Sequence, residues 1–230
     1  MIEEPPLVRL LTRSSRNRPT PAQIAAFAGV QSSIVCDAMN GTGALDAAIK
    51  PLAGVPDHFH GPAITADNGP GDILALLCVL DEVEQGDVIL TAVQGHGACA
   101  AVGDMVAAQA KNAGAAAIVT DGRARDIAGI RAVGLPVFAT GLTPNSPYKT
   151  GPAIVGHPIL IGGRAVTSGD MVIGDEDGVV TVPFDQIDAV IAQIDLVRAS
   201  ETKREAEVQA GMVVPDKIKA LLASDRIERT

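Results

Sequence analysis

Aromatic side chains are almost missing from this 230-residue chain, which has no Trp, one Tyr and four Phe. A core without rings has to be assembled from Ala, Val, Ile and Leu, which suits buried strands packed by small-residue helices. Cysteine is scarce as well. Cys36, Cys78 and Cys99 are odd in number and sit among apolar or small residues, so buried free thiols in a reducing cytoplasm are expected rather than a disulfide framework. Basic charge is in deficit: 18 Lys and Arg face 27 Asp and Glu, a formal net charge of −9. Such a surface repels a phosphate backbone and argues against a nucleic-acid partner. No apolar run approaches the length of a membrane span, and no basic-then-apolar leader opens the chain. A cytoplasmic protein without a membrane partner is therefore expected.

The chain is long enough to bury one full core, and no internal repeat or linker divides it. Its 24 Gly and 15 Pro are scattered and read as turn punctuation. Residues 1–18 are polar and Pro-containing and read as an arm. Thr20-Pro21 offers a helix start, with Thr20 as N-cap and Pro21 in the first turn. A second short helix is predicted from Ser32 or Ser33 to Asn40-Gly41, and a third over Gly71 to Glu84. Val88 to Val93 reads as a buried strand by its β-branched content.

The middle of the chain alternates. A helix over Asp104 to Asn112 ends at Gly114, and Ala115 to Thr120 is a strand. A helix over Asp126 to Val133 ends at Gly134, and Pro136 to Ala139 is a strand again. Alternation of this kind predicts parallel strands in a layered α/β arrangement. After Pro144, short strands at Ile154-Val155, Pro158 to Ile161, Ala165-Val166, Met171 to Ile173 and Val179 to Val182 form a compact β region. A long charged helix from Pro183 to Gly211 and a tail helix from Pro215 complete the prediction. The main domain is thus expected over residues 19–211, with a tail over 212–230.

Two short signals stand out at strand-to-helix junctions. Gly103-Asp104 is followed, after twenty residues, by Arg125-Asp126. Each aspartate opens a predicted helix and could be an ordinary cap. Arg125 follows a buried strand, at the carboxyl end where α/β sheets place ligands. Its planar fork suits a carboxylate, although an ion pair with Asp121 or Asp126 would also account for it. The amides of Met105 and Val106 lie in the first turn of their helix, where an anion is favoured.

The stretch from Gly103-Asp104 through Ala113-Gly114, Asp121-Gly122, Arg125-Asp126 and Gly134-Leu135-Pro136-Val137 resembles the RraA-like family. Cys36-Asp37-Ala38, Gly61-Pro62-Ala63 with Thr65, Gly169-Asp170 and Asp175 through Val180 extend the resemblance to most of the chain, from about Ala22 to Gly211. That family includes metal-dependent class II pyruvate aldolases acting on 4-hydroxy-4-methyl-2-oxoglutarate and 4-carboxy-4-hydroxy-2-oxoadipate. It also includes RraA proteins, which bind and inhibit ribonuclease E without chemistry and lack the metal carboxylate matched by Asp126.

The resemblance implies a single domain of layered β/β/α swivelling fold with peripheral terminal helices, assembled as a homotrimer or homohexamer with an intersubunit site. It implies Asp126 as the direct ligand to Mg²⁺ or Mn²⁺ and Asp104 as holder of metal-bound water. Arg125 would bind the pyruvyl group, assisted by the backbone from Gly103 through Met105 and Val106. Glu201, with Glu205 as a rival, would be supplied by the C-terminal helix of a neighbouring subunit. Val93-Gln94-Gly95-His96 departs from the family's more usual Val-Asp-x-Gly.

The residue types fit that chemistry. Carbon–carbon cleavage beside a pyruvyl carbonyl needs a place for enolate charge, either a lysine imine or a metal. Lys50, Lys111, Lys149, Lys203, Lys217 and Lys219 fall on turns or polar helix faces and none within an apolar strand. A divalent cation held by carboxylates and waters is then the alternative. The four histidines show no zinc spacing, although His96 could line the pocket. No GKS or GxGxxG follows the glycine turns, so no organic cofactor is expected. The expected activity is cleavage of a 4-hydroxy-2-oxo diacid to pyruvate, with oxaloacetate decarboxylation as a side reaction; a sugar acid is a further substrate class.

Overall fold

Local signals set most element boundaries in the computed structural model, which describes residues 6–229. Thr20 caps α1 (Pro21–Ala26): its hydroxyl accepts from the Gln23 amide, and the Gln23 side chain accepts from the Thr20 N–H. Next come α2 (Ser32–Ala38), α3 (Leu74–Val79), α4 (Asp104–Ala113), α5 (Ile127–Val133), α6 (Ile187–Gln209) and α7 (Asp216–Leu222). All lie within the predicted helical stretches except α4, which runs one residue further, to Ala113. Gly114 and Gly134 close α4 and α5 in the left-handed conformation.

The strands of the described residues are β1 (Val8–Leu10), β2 (Lys50–Pro51), β3 (Phe59–Asn68), β4 (Val88–Ala92), β5 (Ala100–Val102), β6 (Ala117–Thr120), β7 (Arg123–Ala124), β8 (Val137–Ala139), β9 (Ala153–Val155), β10 (Ile159–Ile161), β11 (Arg164–Val166), β12 (Met171–Asp175) and β13 (Gly178–Val182). Four of them, β3, β4, β6 and β8, form the predicted parallel centre. β9 joins the far edge of β3 antiparallel, and β1 pairs parallel with β9. The arm therefore carries an edge strand that no periodicity announced, because all three of its residues are exposed. Arg16 and Arg18 tie the arm to Glu82 and Asp87.

The ten residues of β3 serve two sheets. Phe59 to Pro62 register with β12, while Ala63 to Asp67 register with β4. The β12–β13 hairpin then extends the second sheet.

Side-chain alternation along each strand decides the layers. Ile89 of β4 faces the helices, packing with Leu76, Ala107, Ala110 and Ile130. Its neighbours Val88 and Leu90 face the other way and meet Ile159, Ile161 and Val172. In β12, Val172 belongs to that inner layer, whereas Met171 and Ile173 pack with Val35, Val190 and Ile194 of α2 and α6. The result is the expected layered β/β/α arrangement with peripheral terminal helices. Two of the four phenylalanines, Phe59 and Phe138, meet edge to face at 5.0 Å in the inner layer. Aliphatic residues supply nearly all the rest of the buried apolar surface. No helix of the described residues is long and apolar enough to cross a membrane.

Candidate active site

A ladder of two very short strands brings the two sequence signals together. β5 and β7 pair in parallel, with Ala100 opposite Arg123 and Val102 opposite Ala124. The Arg125 N–H then donates to the Val102 carbonyl at 2.9 Å. The chain leaving β5 and the chain leaving β7 thus enter α4 and α5 side by side. Two glycines let them approach. A Cβ on Gly103 would lie 3.1 Å from Asp126 Oδ2, and one on Gly129 of α5 only 2.3 Å from Asp104 Oδ2. Each element offers a bare backbone to the other's aspartate.

Neither aspartate is a conventional cap. Gly103 holds the N-cap position of α4, and Asp104 is the first helical residue. Its Oδ1 accepts from the Met105 N–H at 2.7 Å, so one of the two amides expected to face an anion is already engaged. Asp126 does occupy the N-cap of α5, but with φ 58° and no side-chain bond to the helix. A non-glycine residue held in the left-handed region is uncommon and tends to occur at functional sites.

Asp126 Oδ2 instead meets Arg125 Nε at 3.1 Å, with the two side chains 46% and 34% exposed. Of the two ion pairs open to Arg125, this is the one formed. Asp121 is committed elsewhere, accepting from the Val93 and Gly95 amides at 2.7 and 2.9 Å. Arg125 Nη1 also donates to Ser146 Oγ. An exposed pair of this kind contributes about 0–1 kcal/mol, so exchanging it for a ligand costs little.

These residues line a cleft of about 340 Å³ bounded by Ile73, the run from Ala100 to Val106, Arg125, Asp126, Ser146, Pro147 and Lys149. Gly103, Asp104, Met105, Val106, Arg125 and Asp126 are therefore assembled at one place. Ser146, Pro147 and Lys149 belong to a loop that sequence reasoning could not position. Long-range bonds fix it. Asp72 Oδ2 accepts from the Thr150 and Gly151 amides at 2.6 and 3.0 Å, while Oδ1 accepts from Leu74 N–H at 2.7 Å. Burial pushes the Asp72 carboxyl up, but these donors outweigh it and hold it below the ordinary carboxylate value. Tyr148 completes the strap, donating to the Gly71 carbonyl and accepting from the Ile73 amide.

Other residues singled out in the sequence lie elsewhere. Glu201 and Glu205 are exposed on α6 and do not line the cleft of their own chain; α6 packs in the opposite layer, beside α2. His96 and Cys99 do not line this cleft but border a small neighbouring recess near Gly71, which shares Ala100 and Ala101 with it. Asp170 and Asp175 are buried and hold turns together.

The donor set fits a hard cation. Asp104 and Asp126 offer only oxygen, and each keeps an oxygen outside the bonds just described. Among the described residues, no group of three or more His, Cys, Asp or Glu is placed to hold a metal. Mg²⁺, which keeps several waters and takes one or two carboxylates, suits such a sparse set, and Mn²⁺ shares its preference for oxygen.

Comparison with known proteins bears on the family and the fold. Residues 32–181 match the family model described as RraA-like, Aldolase/RraA. A protein of Halalkalibacterium halodurans carrying the provisional name 4-hydroxy-4-methyl-2-oxoglutarate aldolase is 35% identical over 185 residues, spanning 80% of this chain and 88% of the relative. A solved structure of a Pseudomonas syringae pv. tomato protein superposes with TM-score 0.74 at 23% identity, over 86% of this chain and 96% of that one. The Streptomyces coelicolor protein RraAS2, described as an unusual member of the RNase ES inhibitor RraA family, superposes with TM-score 0.72 at 28% identity, over 82% of this chain and all of its own. The solved structures share the fold, and the family model and the curated relative show the family: the chain belongs to the RraA-like family.

Proposed function

We propose that this chain is a divalent-metal-dependent class II aldolase that releases pyruvate from a 4-hydroxy-2-oxo diacid. The observation that carries the reading is the β5–β7 ladder, which seats Asp104, Arg125 and Asp126 in one cleft. The name of the Halalkalibacterium halodurans relative supports the same reaction class.

Asp126, with Asp104 through water, would hold Mg²⁺ or Mn²⁺, which when bound supplies Lewis-acid stabilisation of enolate charge. Arg125 binds the carboxylate of the pyruvyl group with its fork and trades the Asp126 contact for it. As charge moves onto the pyruvyl oxygens in the transition state, the Arg125 interaction strengthens, so it lowers the barrier as well as KM. Water on the Asp104 carboxylate takes the proton of the substrate's 4-hydroxyl as the C3–C4 bond breaks, and a proton returned to C3 of the enolate completes pyruvate. Glu201 of a neighbouring subunit, or Glu205, would close the site in a trimer or hexamer. Oxaloacetate decarboxylation follows as a side activity because it passes through the same enolate.

A non-catalytic inhibitor of ribonuclease is the reading from a different class, and the likeness to RraAS2 favours it. Asp126 argues the other way, since the resemblance implies that the non-catalytic members lack the metal carboxylate it matches. The test is pyruvate release from oxaloacetate and from 4-hydroxy-4-methyl-2-oxoglutarate, with Mg²⁺ or Mn²⁺ and with chelator. Metal should raise both rates, and Asp126→Ala should remove the gain, by about a thousandfold or about 4 kcal/mol of transition-state stabilisation. Equal rates with and without metal would sink the aldolase reading.

A further inference from the structure

The cleft gathers four charged side chains: Asp104, Arg125, Asp126 and Lys149. Three have partners, Asp104 in the Met105 amide and Arg125 and Asp126 in each other. Lys149 has none among the described residues, whereas Lys50, Lys111 and Lys219 each donate to an oxygen. An unpaired lysine on a wandering loop would mean little. This loop does not wander. Tyr148 is bonded through both its N–H and its carbonyl to the Gly71–Ile73 segment, and the Thr150 N–H is held by Asp72 at 2.6 Å. The ammonium therefore projects from a backbone pinned on both sides, which lowers the ordering cost of using it.

The other assignments leave it a partner. Asp104 and Asp126 go to the cation and Arg125 to the pyruvyl carboxylate, so Lys149 is the one charged side chain of the cleft left over. A 2-oxo monoacid brings one carboxylate, which Arg125 takes, and leaves Lys149 as before. A diacid brings a second. From these contacts we infer that Lys149 receives the distal carboxylate and is the residue that selects a 2-oxo diacid over a 2-oxo monoacid. This rests on the keto-acid reading of Arg125. Lys149 is a specificity residue: it touches the end of the substrate remote from the pyruvyl group and takes no part in bond breaking. A flexible ammonium makes a point-charge contact that tolerates diacids of differing branching, where a second arginine would demand one carboxylate orientation.

Equilibrium binding tests this without requiring turnover. 2-Oxoglutarate and 2-oxopentanoate share the 2-oxo acid head and the chain length and differ in the distal carboxylate. Calorimetry in Mg²⁺ buffer should show wild-type protein preferring 2-oxoglutarate by about tenfold, the scale of one charge-assisted contact. Lys149→Met should erase that preference without changing the affinity for 2-oxopentanoate, and Lys149→Arg should keep part of it. An undiminished preference in Lys149→Met overturns the assignment. Arg125→Ala should weaken both acids alike; if it weakens neither, the keto-acid reading of Arg125 falls, and this inference with it. If the binding pattern holds but no metal-dependent cleavage occurs, the aldolase reading falls and Lys149 keeps its role.

Discussion

The dipeptide Gly-Asp occurs five times in the chain, and the copies at residues 103–104 and 169–170 have opposite jobs. Asp170 is buried at a turn of the inner β layer, where it accepts from the Thr167 and Phe184 amides at 2.8 and 2.9 Å. Asp175 nearby accepts from the Ser32 amide and hydroxyl, both at 2.6 Å, and from Asp177. Asp104 accepts from one amide, and Asp126 from no backbone donor at all. An ionised carboxylate has about four acceptor sites. The turn aspartates spend theirs on the fold, while the cleft aspartates keep theirs for solvent or ligand. Asp104 and Asp170 share residue type and the preceding glycine, so it is the count of donors that separates a staple from a site.

The comparison breaks most visibly at Gly129. In an exposed helix, Gly→Ala gains about 1 kcal/mol of propensity. Here the new methyl would lie 2.3 Å from Asp104 Oδ2 and 2.6 Å from its Cβ. Overlap with a Cβ cannot be relieved by rotating the carboxylate, so α4 and α5 have to part, and overpacking of this kind costs about 1–3 kcal/mol. Gly129→Ala should therefore lower metal-dependent turnover by about a hundredfold, with a net loss of stability despite the better helix former. Steady-state kinetics together with thermal unfolding will show it. A variant that is more stable and fully active would mean that Asp104 is not held where turnover needs it.

This dependence on Gly129 was not legible in the sequence, and the reason is physical. Signals carried within one turn of chain were readable: the Thr20–Gln23 box, the Gly114 and Gly134 helix ends, and the aliphatic strands β4 and β6. The spacing from Asp104 to Arg125-Asp126 could be seen, and so could the residues that belong to it. Its cause could not. β5 and β7 are three and two residues long and rich in alanine, too short to show a period, and they are held by pairing with each other and with the 141–145 segment. The strap that presents Ser146 and Lys149 depends on Asp72, some seventy-eight residues away from Thr150. Contacts of that range leave no local trace.

A second prediction sharpens the other half of the comparison. Asp175→Ala removes a buried acceptor from the Ser32 amide, the Ser32 hydroxyl and the Asp177 amide. Donors left unsatisfied at a buried site cost about 1–3 kcal/mol. Stability measured by urea unfolding should fall by about 2 kcal/mol, while kcat and KM of the folded enzyme stay unchanged. Lost turnover at full stability would erase the distinction between staple and site.

The smallest effect concerns pH and joins the two regions, because Asp72 is a staple that serves the cleft. Its carboxyl is held below the ordinary value of 3.8 in the folded chain. A depressed carboxylate contributes stability that is fully present above the unfolded pKa and is lost as pH falls through the folded one. Asp170 works in the opposite sense. Burial pushes its carboxyl up despite two amide donors, so in the folded chain it takes its proton first as pH falls, and that uptake favours the folded state. Above the ordinary carboxylate range, Asp72→Asn should therefore loosen the strap and raise amide exchange at Tyr148 to Gly151 by about fivefold, on the scale of one net hydrogen bond. The gap from wild type should close only on going below that range, once wild-type Asp72 is itself protonated. Asp170→Asn should leave the strap untouched and flatten the gain in stability on acidification. If the Asp72 difference closed above the ordinary range instead, the strap would be held by Tyr148 and its partners, and Asp72 would be a bystander to the position of Lys149.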